Sequence, residues 1–215
     1  MDDYYVPASL LSLESRVVNS KFIATISPAF SVEEAKIFIN NVNKKYADAT
    51  HNVPAYIIGH GSSLISHCSD NGEPSGTAGR PALSVLKGSG LGDTVLVISR
   101  YFGGTKLGTG GLVKAYGDSA REIIAAVPKA KKTLVHIVSL ECPYPLYEQI
   151  KLSIRKHQGE IKSEDFTDKI YLVYSISVKS YEILLNAISE LSNGQIHPEI
   201  IKSDQVSLVP SGNSS

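Results

Sequence analysis

The chain has 215 residues, 42% hydrophobic and 20% charged, enough to bury a real core as one large domain or two small ones. Its 21 basic and 21 acidic residues cancel, which excludes attraction to nucleic acid or membrane through overall charge and leaves only local patches. Two cysteines, Cys68 and Cys142, with no CxxC pair exclude a disulfide scaffold or zinc finger; no stretch approaches the ~20 apolar residues of a membrane span, and the acidic start MDDYY is no signal peptide, so a cytoplasmic protein without a membrane partner is expected.

In chain order, the first twenty residues suggest a strand pair around Tyr4–Val6 and Glu14–Val18, and KFIATIS (21–27) is a stronger strand. Ser31 followed by Glu34 has the spacing of a capping box, and Ala35, Phe38, Ile39 and Val42 repeat at helical spacing up to about Lys45. Strands are expected at Ala55–Gly59 and Ser63–Cys68, joined by a turn at His60, Gly61 and Ser62. His51, His60, His67, Cys68, Asp70 and Glu73 include metal-ligand types. Their spacing matches no ligand pattern and strand alternation separates His67 from Cys68, so neither a metal nor a cofactor is expected.

Asp70 to Pro81 holds three glycines and two prolines and reads as a surface loop whose backbone needs side chains such as Asp70, Glu73, Ser75 and Thr77 to satisfy it. A short helix follows from Ala82 to about Gly88, and the apolar run TVLVIS (94–99) fits a strand buried on both faces at the middle of a sheet. RYFGGTKLGTGG then leads into a helix from about Gly110 that Pro128 stops. Lys129, Lys131 and Lys132 read as a basic linker.

Beyond it the pattern is strand (134–142), helix (145–157), strand (160–167), strand (169–178), helix (181–191) and strand (195–203), a ferredoxin-like βαββαβ order. Residues 134–215 carry seven basic and ten acidic side chains, against a net charge of +3 before them, so composition also marks a boundary. The expected domains are 1–133 and 134–209, with a disordered tail at 210–215.

From Pro74 to Lys132 nine basic residues face three acidic ones. Glycines between a buried strand and a helix start put free N–H groups at the positive end of a helix, an arrangement suited to an anion. The loop is not a Walker A turn, because Thr109 and Gly110 follow Gly108 where Lys and Ser or Thr belong, and not a dinucleotide fingerprint, because Val113 stands at the third small position. No GxSxG elbow is present.

Three functional readings remain, one of them a purely structural module whose C-terminal domain docks a protein partner. The first is an anion- or RNA-binding face built from Arg80, Arg100, Tyr101, Lys106, Gly108, Thr109, Gly110 and Lys114, with Tyr101 and Phe102 available to stack on bases. Against it, one of Tyr101 and Phe102 is expected in the core, and Arg100 has a structural alternative in pairing with Asp70 or Glu73. The second is an enzyme acting on a phosphorylated or peptide substrate held at 103–111, with His51, Asp70 or Glu73 moving protons.

The strings SDNGEPSGTAGRPAL and VLVISRYFGGTKLGTGGLVKAYGDSA, with THNVPAY at 50–56, closely resemble the signature blocks of the YigZ/IMPACT family in its bacterial two-domain form. The resemblance implies an α+β protein: an N-terminal α/β sandwich similar to domain 2 of a small-subunit ribosomal protein and to RNase PH, then a ferredoxin-like domain similar to the last domain of elongation factor G. It implies binding rather than catalysis, with RNA, the ribosome or a translation-related protein as partner. The eukaryotic members' RWD domain has no counterpart here, so their kinase pathway is not carried over. Asn71, Arg80 and Val53 depart from the residues common in the family, which removes Asn71 as a carboxylate base and position 53 as a thiol.

Overall fold

The computed structural model describes residues 3–210, so residues 211–215 of the expected tail lie outside it. It is a mixed α+β fold of two compact units, Tyr4–Lys131 and Lys132–Val209, each built on an antiparallel sheet.

In the first unit, β1 (Tyr4–Pro7), β2 (Leu11–Val17), β3 (Ser20–Pro28), α1 (Val32–Lys45), β4 (His51–Ile58), β5 (Ile65–Cys68), α2 (Gly79–Gly88), β6 (Thr94–Tyr101) and α3 (Gly108–Ala126) follow in order. The sheet runs β2-β3-β6-β4-β5, every neighbour antiparallel. The TVLVIS strand therefore sits at its centre, buried on both faces as its composition requires.

Alternation along the strands sorts the two faces. Phe22, Ala24 and Ile26 of β3, Val53, Ala55 and Ile57 of β4, and Leu96 and Ile98 of β6 pack against Ala82 and Leu86 of α2 and Leu112, Tyr116, Ala120 and Ile123 of α3. On the other face Tyr56, Ile58 and Val95 meet Ala35, Phe38 and Ile39 of α1. That helix starts at Ser31, whose Oγ accepts the Glu34 N–H at 3.1 Å, while Glu34 Oε2 accepts from the Phe30 N–H at 2.8 Å.

Four expectations are corrected here. β1 does not pair with β2; β2 pairs with β3, and β1 lies beside the start of β7, where Tyr4, Val6 and Ala130 are buried together. β4 starts at His51 rather than Ala55, because Pro54 costs no ladder bond: its carbonyl accepts from Ser69 N–H just beyond the end of β5. α2 starts at Gly79 rather than Ala82. Lys129, Lys131 and Lys132 are no linker but the opening of a strand.

The second unit contains β7 (Lys129–Cys142), α4 (Tyr144–Lys156), β8 (Glu160–Phe166), β9 (Ile170–Ser177), α5 (Val178–Ser192) and β10 (Glu199–Pro210), with strand order β10-β7-β9-β8. Alternate residues Val138, Leu140 and Cys142 of β7 and Ile170, Leu172, Tyr174 and Ile176 of β9 bury against Ile150 and Ile154 of α4 and Leu184 and Ile188 of α5. Asn193, at φ 49°, ends α5 in the left-handed conformation, and β10 begins four residues later than expected.

The tightest backbone approach in the first unit lies at Gly103, where an added Cβ would fall on the Asn19 carbonyl in the turn between β2 and β3. Gly110, in the first turn of α3, has open space around it. Gly103→Ala is expected to destabilise by about 1–3 kcal/mol through overpacking. Gly110→Ala is expected to be neutral or stabilising by up to about 1 kcal/mol. Urea unfolding of both variants measures the contrast, and equal effects would refute the packing account.

Candidate functional site

Cross-strand register creates the site. His51 of β4 and Phe22 of β3 both pair with Arg100 of β6, which places three side chains in a row on the face covered by α2 and α3. Arg100 continues the inward series of Leu96 and Ile98, so its guanidinium enters the core at only 5% exposure. A charge there requires a partner. Glu73 supplies it from the 70–79 loop: its Oε1 accepts from Arg100 Nη1 at 2.8 Å and from the Tyr116 hydroxyl of α3 at 2.8 Å. Arg100 Nη2 donates to Ser20 Oγ at 3.3 Å, and the guanidinium carbon stands 5.6 Å from the ring centres of both Phe22 and Phe102. Arg100 Nε is buried and has no hydrogen-bond partner among the described residues.

Burial first, and then the hydrogen bond to Glu73, push the Tyr116 phenol far above its ordinary range, so it stays a donor. Glu73 Oε2 takes no part in these bonds and faces His51 Nε2 at 3.8 Å. His51 Nδ1 lies 2.9 Å from the Asn71 carbonyl, which only accepts, so Nδ1 carries a proton and Nε2 is the atom turned toward Glu73.

Asp70 holds the loop itself. Its Oδ2 accepts from Gly76 N–H at 2.7 Å, and its Oδ1 accepts from Ala78 and Gly79 N–H at 3.1 and 2.8 Å. Partial burial would raise its pKa, but the three N–H donors and the charge of Arg80 outweigh burial and leave it below the ordinary carboxylate range. Thr77 Oγ1 closes the same loop onto the Pro74 carbonyl at 2.6 Å.

A cavity of about 360 Å³ opens beside this cluster, lined among others by His51, Glu73, Arg100, Phe102, Lys106 and Thr109. It lies at the start of α3, where Leu107 at the N-cap gives no side-chain capping bond and, among the described residues, no side chain accepts from the first-turn N–H groups. Gly108, at φ 71°, is a conformation glycine adopts freely, and nothing crowds it.

The structure thus gathers His51, Glu73, Arg100, Lys106, Gly108 and Thr109 around one cavity, and Gly110 lies in the adjoining first turn. It does not gather Asp70, Arg80 or Lys114 into that lining; Arg80 and Lys114 are exposed on α2 and α3. Arg100 is no surface cation, so a basic face has to be built without it. Neither Tyr101 nor Phe102 is in the core: Tyr101 donates to Asp48 Oδ1 at 2.8 Å under Lys21 Nζ, and Phe102 is 46% exposed. Tyr116 and Ser20 are hydrogen-bond partners of this cluster that sequence reading missed. Tyr116 was legible only as an apolar helix position.

The histidines do not converge. His60 stacks on Tyr4 at 4.8 Å and His67 lies 5.4 Å from the Tyr56 ring, while His51 faces Glu73. Among the described residues no three His, Cys, Asp or Glu side chains are placed to hold a metal ion, and no helix is long and apolar enough to cross a membrane.

Two outcomes are expected. Glu73→Ala leaves Arg100 buried and unpaired, so unfolding free energy should fall by about 3–5 kcal/mol, read by urea denaturation; a change below about 1 kcal/mol would mean that the pair does not hold the site. Asp70 contributes stability that is fully present above its unfolded-state pKa near about 4 and is lost as pH falls through its lower folded-state value. Asp70→Ala should therefore be less stable than the parent at pH 7, and the gap should close in strongly acid solution, read by melting temperature across pH.

Residues 18–124 match the Impact N-terminal domain and residues 140–195 match a domain of unknown function, DUF1949. An IMPACT family member of Haemophilus influenzae is 34% identical, over 94% of this chain and 98% of its own. The IMPACT family member YigZ of Escherichia coli is 32% identical, over 91% of this chain and 97% of its own. A crystal structure of a hypothetical protein superposes with a TM-score of 0.61 at 31% identity, covering 94% of this chain and 98% of that one. Relatives above 30% identity that are spanned almost end to end settle the relationship: the chain belongs to the IMPACT family.

Proposed function

We propose that this protein is a translation-associated regulator that binds an anionic partner, RNA or the ribosome, through the glycine-rich turn at the start of α3. The observation that carries the reading is the uncapped first turn of α3 opening into a cavity beside Lys106. Backbone N–H groups at a helix N-terminus with an adjacent cation attract phosphate without sequence preference. Lys114, exposed on the same helix outside the cavity lining, is a second cation of α3. Family membership supports the translational setting, in which a binding role is expected from the resemblance of the signature blocks.

The same proposal takes the chain as two domains, 1–133 and 134–209, in a cytoplasmic protein. The βαββαβ order and the β10-β7-β9-β8 sheet support a ferredoxin-like second domain. An antiparallel sheet with α1 on one face and α2 and α3 on the other supports the RNase PH-like reading of the first.

A second reading is favoured by one observation: His51 Nε2 and Glu73 Oε2 share the cavity with the turn, where a proton acceptor would stand beside a bound anion. Hydrolysis of a phosphomonoester by the parent protein, abolished in His51→Ala, would favour an enzyme; no turnover by either would favour binding alone.

For the binding reading, Lys106→Ala combined with Lys114→Ala should weaken RNA binding and flatten its dependence on log salt by about 1.4, roughly 0.7 for each single-strand phosphate that a lysine no longer neutralises. Filter binding between low and physiological salt measures the slope. An unchanged affinity and slope in a folded variant would overturn the reading.

A further inference from the structure

The cavity is chemically two-sided, a property that the anion-binding reading leaves unused. Part of its lining donates: the Lys106 ammonium and the α3 backbone at Gly108 and Thr109. Another part accepts. Glu73 is 8% exposed, both of its side-chain hydrogen bonds go to Oε1, and among the described residues none donates to Oε2. His51 Nε2, 3.8 Å away, is an acceptor in the neutral ring because Nδ1 donates to the Asn71 carbonyl.

A phosphate oxygen is itself an acceptor and finds no bond at a carboxylate oxygen and an imidazole lone pair. That pair calls for hydroxyl or N–H donors, and two acceptors 3.8 Å apart are within reach of hydroxyls on adjacent carbons. Glu73 Oε2 is the carboxylate oxygen left open to the cavity, where a ligand hydroxyl would take the place of water. Phe102, Leu107 and Leu112 add apolar surface, and the half-exposed Phe102 ring offers a face for stacking. About 360 Å³ accommodates a ligand of a few tens of atoms.

Phosphate, vicinal hydroxyls and a flat ring together describe one chemical unit. We propose that the cavity binds a single ribonucleotide, with its phosphate on Lys106 and the first turn of α3, its ribose hydroxyls donating to Glu73 Oε2 and His51 Nε2, and its base against Phe102. The inference rests on the anion-binding reading of the same turn and adds ligand identity and discrimination between RNA and DNA. The ribonucleotide is either free or the 3′-terminal residue of an RNA strand, the one position in a strand that keeps both ribose hydroxyls.

The experiment is calorimetric titration of the full chain at low salt with a ribonucleoside 5′-monophosphate, its 2′-deoxy counterpart, and a short single-stranded oligoribonucleotide with its DNA equivalent. In at least one pair the ribo form should bind about tenfold more tightly, the worth of one well-made hydrogen bond. Preference in the mononucleotide pair identifies a free nucleotide as the ligand, and preference in the oligomer pair alone identifies RNA. Lys106→Ala should weaken ribo and deoxy forms by the same factor, and His51→Ala should narrow the gap between them.

Equal affinity for ribo and deoxy forms in both pairs overturns the proposal. This comparison uses the unaltered protein and does not depend on how any variant folds. If RNA binding still responds to Lys106 and Lys114 in that case, the basic-turn reading stands alone; if no nucleic acid or nucleotide binds at all, both fail.

Discussion

The buried pair between Arg100 and Glu73 is the constraint on which the first unit's site depends. Arg100 is carried into the interior by the register of β6, and its charge cannot remain there unpaired. Glu73 meets that need only if the 70–79 loop folds inward, and Tyr116 reaches the same carboxylate oxygen only if α3 lies across the sheet at its present depth. One electrostatic requirement thereby fixes a strand end, a loop and a helix relative to one another. The cavity is what remains between them.

Much of the fold was legible because its signals are local or periodic. The capping spacing of Ser31 and Glu34, the apolar run of β6 and the alternation in β7 and β9 each depend on residues close in sequence. Pro54 hid the first half of β4, since a proline argues against a strand unless its ladder positions face away from a neighbour, which is known only once β5 is seen to stop at Cys68. The partner of β1 was illegible for a similar reason: it lies more than a hundred residues along the chain.

The site was legible in part. Arg100 has the same strand parity as Leu96 and Ile98, so its inward direction was available from alternation alone, and of the two roles expected for it, surface cation or partner of Asp70 or Glu73, the structure shows the pairing with Glu73. Glu73 and Asp70 look alike in sequence, two carboxylates in one loop. Their roles diverge because Asp70 meets three backbone N–H groups while Glu73 turns to Arg100, and only tertiary structure decides which does which. Tyr116 gave no signal, since a buried phenol reads as an apolar helix position until a carboxylate stands opposite it.

The grip of Asp70 on Gly76, Ala78 and Gly79 has a consequence for motion. Three of the loop's backbone N–H groups converge on this one carboxylate, and Glu73 ties the same segment to Arg100 and Tyr116. Local opening of the segment would have to break both sets of bonds. Asp70 does not line the cavity, yet it shapes the segment that brings Glu73 to it.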